Sequence, residues 1–203
     1  SNSLLAGSRF RLVNMVALSI LDLVPVRVGE TPREALPRSL ELAQHAERLG
    51  FQRFWVAEHH NMPGIASAAT SVVMAYLAAG TRSIRIGAGG IMLPNHSPLV
   101  IAEQFGTLAS LYPGRIDLGI GRAPGSDRGT MVALQRDRRQ GSPDDFPAQL
   151  AELIGYLDDT LPDDHPFRRL AALPGLPEVP DLWLLGTSQQ SAIWAAEQGL
   201  PYG

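Results

Sequence analysis

The sequence predicts an α/β fold built from parallel βα units, and three observations carry that prediction. Short apolar, β-rich runs alternate along the chain with runs of helical period. These predicted strands are apolar throughout, as is typical of strands that helices cover on both faces. Charged or glycine-rich residues recur directly after the strands, which is where parallel α/β folds place their active sites.

The first βα unit consists of a strand predicted at 14–21 and a helix predicted at 32–49. Thr31 and Glu34 have the spacing of a capping box, which marks the start of that helix. Pro37 lies inside the helix, where it removes one backbone hydrogen bond and is expected to bend the first turns.

The same pattern continues to the end of the chain. The remaining strands are predicted at 54–57, 84–91, 116–120 and 182–185. The remaining helices are predicted at 67–79, 97–112, 146–157 and 188–198. Ser97-Pro98 is a cap followed by proline at the first helical position, and Gly199 is a typical helix stop.

The stretch between the fourth and fifth strands differs from the rest. It is rich in proline, aspartate and arginine, and its one clear helix is the one at 146–157. Long loops of this kind often cover a functional site. We therefore predict that residues 1–203 form a single domain in which 123–180 is a long βα insertion that acts as a lid.

Five βα units leave two architectures open. An eight-fold barrel needs about 250 residues. The chain therefore forms either an open five-stranded sheet or the N-terminal part of a larger barrel. An open half-barrel exposes two strand edges, and such edges favour pairing with another chain.

Composition fits an ordinary globular protein, with 45% hydrophobic and 18% charged residues. The net charge of −3 gives no global basic field for nucleic acid or an anionic membrane. No apolar run approaches the roughly 20 residues that a membrane helix needs. Cysteine is absent, which excludes disulfides and thiolate metal sites and is compatible with a reducing cytoplasm.

The second strand is followed by Glu58-His59-His60. An imidazole at position 59 can act as a general base or donate to a flavin-like ring. The alternative is a structural histidine bonded to a backbone carbonyl, but Glu58 and Asn61 on either side favour the chemical role. His60 is expected to be structural. A metal site that also uses His96 is disfavoured, because adjacent histidines point in opposite directions from a strand.

The third strand contains Gly87-Ala88-Gly89-Gly90. Glycine inside a strand marks a bulge, a strained peptide or the close approach of a ligand. Tight packing of a helix on the sheet is the alternative, and the sequence does not decide between them. The order of the glycines is not a dinucleotide fingerprint, because no helix start follows it.

The fourth and fifth strands also end in residues suited to binding. Arg122 follows Gly121, and its guanidinium can hold a phosphate or a ring carbonyl, unless it pairs with an acid such as Asp127. Gly186-Thr187-Ser188 opens the last helix, with Ser191 one turn on, and forms either an anion site or a plain N-cap. A base, a glycine surface, an arginine and a helix start at one edge predict a pocket for a flat, phosphorylated cofactor.

These residues also identify a relationship. The chain resembles the bacterial luciferase-like flavin monooxygenases, in particular their single-subunit oxidoreductase branch. The matching stretches cover nearly the whole chain, at 18–26, 55–64, 87–96, 102–125 and 184–201. Their combination is highly specific.

The resemblance implies a TIM (β/α)₈ barrel that binds FMN at the carboxyl ends of its strands. It implies that His59 assists oxygen chemistry as a base and that a cis peptide joins Gly89 to Gly90 against the ring. Thr187 stands where a better-known luciferase subunit has glutamate, so its role departs from the family pattern. On this basis the cofactor-binding residues are expected to be Glu58, Gly89, Gly90, Gly121, Arg122, Gly186, Thr187, Ser188 and Ser191, with no metal.

The resemblance further implies a two-component monooxygenase in which a separate reductase supplies reduced FMN and oxygen is used to oxidise a small organic substrate. A deazaflavin-dependent hydride-transfer enzyme and a non-catalytic flavin-binding protein are the rival functions. A homodimer in the cytoplasm is expected. Because only about five βα units are present, one wall of the barrel is missing, and the complete gene product is expected to be longer.

Overall fold

The computed structural model describes residues 16–122, 127–134 and 145–203. Its strands are β1 (Ser19–Asp22), β2 (Arg53–Val56), β3 (Arg85–Met92), β4 (Ile116–Gly121) and β5 (Asp181–Leu185). Its helices are α1 (Pro32–Arg48), α2 (Thr70–Ala79), α3 (Pro98–Leu111), α4 (Arg128–Leu134), α5 (Phe146–Asp158) and α6 (Gln189–Glu197). A short 3₁₀ turn, Leu93–Asn95, follows β3 directly.

The five strands form one parallel sheet in which they lie side by side in chain order. Helices connect each strand to the next, as parallel pairing requires. The predicted parallel α/β fold is therefore confirmed. Sequential neighbours throughout the sheet are what a TIM-type barrel wall requires, in contrast to the reversed order of doubly wound sheets.

Most predicted element boundaries are confirmed, but the first strand was predicted too long. β1 begins at Ser19 because its partner β2 begins only at Arg53, which lies opposite Ser19 in the register. The first residues predicted for that strand, 14 and 15, lie outside the described residues. Parts of the predicted insertion, 123–126 and 135–144, also lie outside them.

The start of α1 follows the predicted local signals. The side chain of Glu34 accepts a hydrogen bond from the Thr31 N–H at 2.9 Å, which completes the capping box. Pro32 occupies the first turn, where its missing N–H has no consequence for the helix. Pro37 is contained within α1, which continues to Arg48.

The core lies between the sheet and the helices. Its sheet side is formed by residues that are almost fully inaccessible: Phe54, Val56, Ile86, Ala88, Ile116, Leu118, Ile120 and Leu184. Its helix side includes Met74, Leu77, Ile101, Phe105 and Leu153. This burial on the helix-facing side explains why apolar residues dominate every strand.

The opposite, inner face of the sheet carries a different set of side chains. Leu21, Trp55, Gly87 and Asp117 lie in one row of the strand register. Leu21 is 55% exposed, whereas Phe54 on the other face is 0% exposed. The inner face therefore combines an open rim with a polar row.

The predicted insertion contains two helices, of which α4 was not anticipated. α5 packs against α3 and the 3₁₀ turn, and it buries Leu150 and Leu153 in the core. α4 is a short helix at residues 128–134. Within the three described ranges, no helix has both the length and the apolar character needed to cross a bilayer.

Candidate active site

The predicted site residues lie along the carboxyl edge of the sheet. The register pairs the last residues of β4 and β5, so Arg122 and Gly186 leave the sheet side by side. His59 follows β2 at the same edge, three residues after Val56. The structure thus places the ends of three strands where sequence analysis predicted a common site.

Glu58 is completely buried, and both of its carboxylate oxygens accept hydrogen bonds. Its Oε1 lies 2.7 Å from His60 Nε2 and 2.9 Å from His96 Nε2. Its Oε2 accepts the Met92 N–H at 2.9 Å and lies 3.0 Å from His96 Nε2. The carboxylate therefore joins the end of β2 to the end of β3 and to the residue that follows the 3₁₀ turn.

These contacts decide the charge state of Glu58. Burial by itself raises the pKa of a carboxyl group, because the charged form loses hydration. At Glu58 the bond and positive potential from His96, together with the bonds from His60 and the Met92 N–H, outweigh burial and lower its pKa. Glu58 is therefore a charged acceptor at neutral pH.

His59 differs from Glu58 and His60 in its hydrogen bonding. Its Nδ1 atom is buried but has no hydrogen-bond partner, one of four such side-chain atoms among the described residues. A buried polar atom without a partner is unfavourable and calls for an explanation, such as a catalytic role or a bound group. The alternative of a histidine held by a backbone carbonyl is not found at this nitrogen.

A cis peptide joins Gly89 to Gly90, as the resemblance implied. The β3–β4 register shifts between Gly89 and Ile91. A Cβ atom at Gly90 would lie 2.7 Å from the Gly119 carbonyl oxygen, so close strand packing requires glycine there. A Cβ atom at Gly89 would instead lie 2.7 Å from the Leu21 side chain, on the inner face of the sheet.

Arg122 is exposed at the end of β4. Its guanidinium carbon lies 5.6 Å from the centre of the Trp194 ring on α6. Trp194 in turn packs against Phe146, with ring centres 5.7 Å apart. The aromatic contact holds the arginine beside the helix that begins after β5.

The start of α6 is a well-formed N-cap. The Ser188 hydroxyl accepts the Ser191 N–H at 3.2 Å, and the Ser191 hydroxyl donates to the Ser188 carbonyl at 2.7 Å. The Tyr202 hydroxyl donates to the Gly186 carbonyl and lies 3.0 Å from the Ser191 hydroxyl. The predicted cap is thus present, while Thr187 is exposed beside it.

Sequence analysis missed three contributors to this edge. His96 was considered only as a metal ligand, although it binds Glu58. Trp194 and Tyr202 gave no local signal, because their contacts cross from one βα unit to the next. Among the described residues, no group of three or more His, Cys, Asp and Glu side chains could hold a metal ion.

A side-chain hydrogen bond connects the loop after β2 to the residue that precedes α4. Asn61, which has a positive φ of 54°, donates to Asp127 Oδ2 at 2.9 Å. Asp127 also accepts the N–H groups of Gly129 and Thr130 at the start of α4. The hydrogen bonds from the Thr130 hydroxyl and from Asn61 hold the pKa of Asp127 well below its ordinary value.

The fold defines a TIM-type α/β protein, and the candidate site lies at the carboxyl edge of its sheet. The family model described as luciferase-like monooxygenase matches residues 16–203. A luciferase-like monooxygenase of Escherichia coli K12 is 56% identical over 187 residues, which cover 92% of this chain and 54% of that protein. An N-acetyl-S-alkylcysteine monooxygenase of Bacillus subtilis 168 is 44% identical over 188 residues, 93% of this chain and 56% of that protein.

Solved structures give the same relationship. The structure of apo-MsnO8 superimposes with a TM-score of 0.81 at 46% identity, covering 93% of this chain and 54% of that one. More distant structures share the fold alone. They include the oxygenating constituent of a diketocamphane monooxygenase with FMN, at 17% identity, and an F420-dependent secondary alcohol dehydrogenase, at 18%.

The chain therefore belongs to the luciferase-like monooxygenase family. It spans about half the length of the curated relatives it matches. The resemblance that was drawn from the sequence is confirmed at the level of the family and of its barrel fold.

Proposed function

We propose that this chain carries the flavin site of an FMN-dependent, two-component monooxygenase that oxidises a small organic substrate with O₂. The observation that carries the proposal is the unpartnered, buried Nδ1 of His59 at the edge that also holds Gly89–Gly90 and Arg122. Two relatives, 56% and 44% identical, bear monooxygenase names, which supports the reaction class.

The chemistry of the described residues fits FMN. Arg122 and the hydroxyls of Ser188 and Ser191 stand at adjacent strand ends, and the opening N–H groups of α6 have no intrahelical acceptors. Such an arrangement suits a phosphate. We assign these residues, with Gly121, Gly186 and Thr187, to the phosphate end and Gly89–Gly90 to the ring.

Bound FMN, in its reduced form, supplies the electrons that activate O₂. In the net reaction reduced FMN, O₂ and the substrate give FMN, the monooxygenated substrate and water. His59 holds or accepts a proton at Nδ1, the atom that lacks a partner in the protein. Gly89 lies on the inner face beside the side chains of Leu21 and Trp55, which occupy the space that a Cβ atom would need, so only glycine fits at this position.

Exclusion of water is assigned to the stretch around α4. The Asn61–Asp127 bond holds the start of that helix against the loop that carries His59. A site closed in this way strengthens the polar contacts inside it. In this proposal α5 is a core helix, and the lid is confined to residues 127–134.

A separate flavin reductase, a homodimer and a cytoplasmic location belong to the same proposal. Exposed apolar side chains on α2 and α3, among them Val72, Tyr76 and Val100, offer a surface for a second copy. Sedimentation of the purified chain over a range of concentrations tests the dimer.

Flavin titration tests the cofactor. Fluorescence is followed as the protein is titrated with oxidised FMN, reduced FMN and a deazaflavin. We expect FMN to bind in preference to the deazaflavin, and Arg122→Ala to weaken FMN binding about tenfold or more. Arg82→Ala is the matched control, because Arg82 is exposed beyond the amino edge of β3.

The outcomes separate the functions. Preference for the deazaflavin would replace the oxygenase by a hydride-transfer enzyme of the F420-dependent type. Binding of FMN without consumption of O₂ in the presence of reduced FMN would indicate a non-catalytic flavoprotein. Equal losses in the two arginine variants would contradict the assignment of Arg122 to the phosphate.

A further inference from the structure

Glu58, which precedes His59 in the chain, accepts hydrogen bonds from three groups of the protein. The carboxylate faces two imidazole Nε2 atoms and one backbone N–H, all within 3.0 Å. Its side chain is 1% exposed. Both oxygens are thus fully used by the protein, which leaves no open face for a cofactor.

A charged carboxylate can only accept hydrogen bonds. His60 and His96 must therefore each present a proton at Nε2. The Met92 backbone N–H can only donate, whereas an imidazole nitrogen can either donate or accept. The arrangement fixes the position of the proton on each ring as well as the ring's orientation.

We infer that Glu58 is a positioning residue that holds His60 and His96 as Nε2–H imidazoles and locks the end of β2 to the end of β3. The two ends it joins carry the groups that matter to the proposed function. His59 is the next residue in the chain, and Met92 lies two residues after Gly90. The inference gains its functional meaning from the proposed function, while the hydrogen-bond arrangement stands by itself.

The chain offers a matched carboxylate at the other edge of the sheet. Glu47 Oε1 accepts the N–H groups of Arg82, Ser83 and Ile84 at 2.6–2.9 Å. It has no histidine partner among the described residues, and the N–H groups that it binds come directly before β3, at the amino edge of the sheet. Glu47→Gln is therefore the control for the loss of a multiply bonded carboxylate.

The direct test is the tautomer of each ring in the flavin-free protein. Two-bond ¹H–¹⁵N correlation spectra at pH 8 distinguish Nε2–H from Nδ1–H imidazoles. His60→Gln and His96→Gln assign the signals by removing them one at a time. We expect both rings to carry the proton at Nε2. A proton at Nδ1 alone in either ring overturns the inference.

Glu58→Gln sharpens the test, because an amide has one accepting oxygen and one donating nitrogen. The amide oxygen can stay at the Oε2 position, where it keeps the Met92 N–H and the His96 Nε2–H. The amide nitrogen at the Oε1 position then faces His60, which binds only Oε1, and also lies near His96, which keeps the amide oxygen as an acceptor. We expect His60 to change to the Nδ1–H form, while all rings in Glu47→Gln stay unchanged. Two unchanged Nε2–H signals in Glu58→Gln overturn the inference.

A second readout connects the arrangement to the site. Visible circular dichroism of bound FMN reports how the ring is held. In Glu58→Gln we expect that signal to change and the rate of reoxidation of bound reduced FMN to fall by about tenfold, since small displacements of reacting groups are costly. Glu47→Gln leaves both as in the parent protein. If no flavin binds to the parent protein, the proposed function fails, but the tautomer result still decides the inference.

Discussion

The two edges of the sheet treat their charged groups in different ways. At the amino edge, Asp117 is 0% exposed and accepts hydrogen bonds from Arg53, Arg85 and the Trp55 indole N–H, at 2.6–3.1 Å. At the carboxyl edge, His59 has a buried nitrogen with no partner, and Arg122 is exposed. Asp117 is thus satisfied by partners within the protein, whereas the Nδ1 atom of His59 is not.

This difference separates stability from function. A closed polar network adds specificity and rigidity when every member is satisfied. An unsatisfied group lowers stability and persists where chemistry needs it. Glu58 lies between the two cases: it is fully satisfied, yet it sits next to the unsatisfied His59. Variants at the two edges should therefore change different measured quantities.

The largest loss of stability is expected from Asp117→Ala. It leaves the partly buried Arg53 guanidinium without its counter-charge and Arg85 with the exposed Asp181 as its remaining one, which should lower the free energy of unfolding by about 3–5 kcal/mol. Urea unfolding followed by far-UV circular dichroism measures it.

Asp181→Asn is the control for that variant. The Asp181 carboxylate also contacts Arg85, at 2.5 Å, but is 60% exposed. We expect it to contribute less than about 1 kcal/mol. Equal effects of the two substitutions would contradict the view that burial, rather than the ion pair alone, makes Asp117 important.

The next effect concerns activity alone. His59→Ala should slow reoxidation of bound reduced FMN at least about 10²-fold, because it removes the proton-handling group. The free energy of unfolding should fall by no more than the lost packing of the half-buried ring, since Nδ1 bonds to nothing in the protein. Stopped-flow absorbance and urea unfolding measure the two quantities. His59→Asn, which keeps a polar group near that position, should retain more activity than the alanine variant. Full activity of His59→Ala would remove the catalytic assignment.

The order of the strands and helices was predictable because its signals are local. Capping residues such as Thr31 and the stop at Gly199 act within a turn or two of the helix they bound. β1 was predicted too long because the end of a strand depends on its partner, here Arg53 of β2. α4 was missed although Asp127 caps it locally, because the helix has only seven residues and includes Gly129, a poor helix former.

For the candidate site, the common edge of the sheet was predictable from the sequence, but the contacts between the residues were not. The carboxyl ends of parallel strands meet at one edge, so His59, Arg122 and Ser188 could be placed together from the order of the strands alone. The partners of Glu58 could not. His60 lies close in sequence, but His96 arrives from 38 residues away. Sequence patterns also cannot show that His59 alone is left without a partner at Nδ1 while its neighbours are bonded.

A smaller effect is expected at the amino edge when the pH is lowered. Three backbone N–H bonds lower the pKa of Glu47 from its ordinary 4.5 to about 2, against the effect of burial. Its contribution to stability is therefore complete above pH 4.5 and lost as the pH falls toward 2. We expect Glu47→Gln to reduce this acid-dependent loss by about 1–2 kcal/mol after allowance for solvent screening. Urea unfolding at pH 7, 4 and 3 measures it, and an unchanged pH dependence would be evidence against it.

The smallest effect is expected from loss of the hydrogen bond between Asn61 and Asp127, which connects the loop that carries His59 to the start of α4. Asn61→Gly removes the bond to Asp127 but suits the positive φ, whereas Asn61→Ala removes the bond and adds about 1 kcal/mol of backbone strain. Both should speed proteolysis within residues 127–134 several-fold, with little change in global unfolding for the glycine variant. Limited proteolysis with mass spectrometry locates the cleavage. If Asn61→Gly leaves cleavage of α4 unchanged, the side-chain bond does not hold that helix against the site, and the lid assignment loses its structural support.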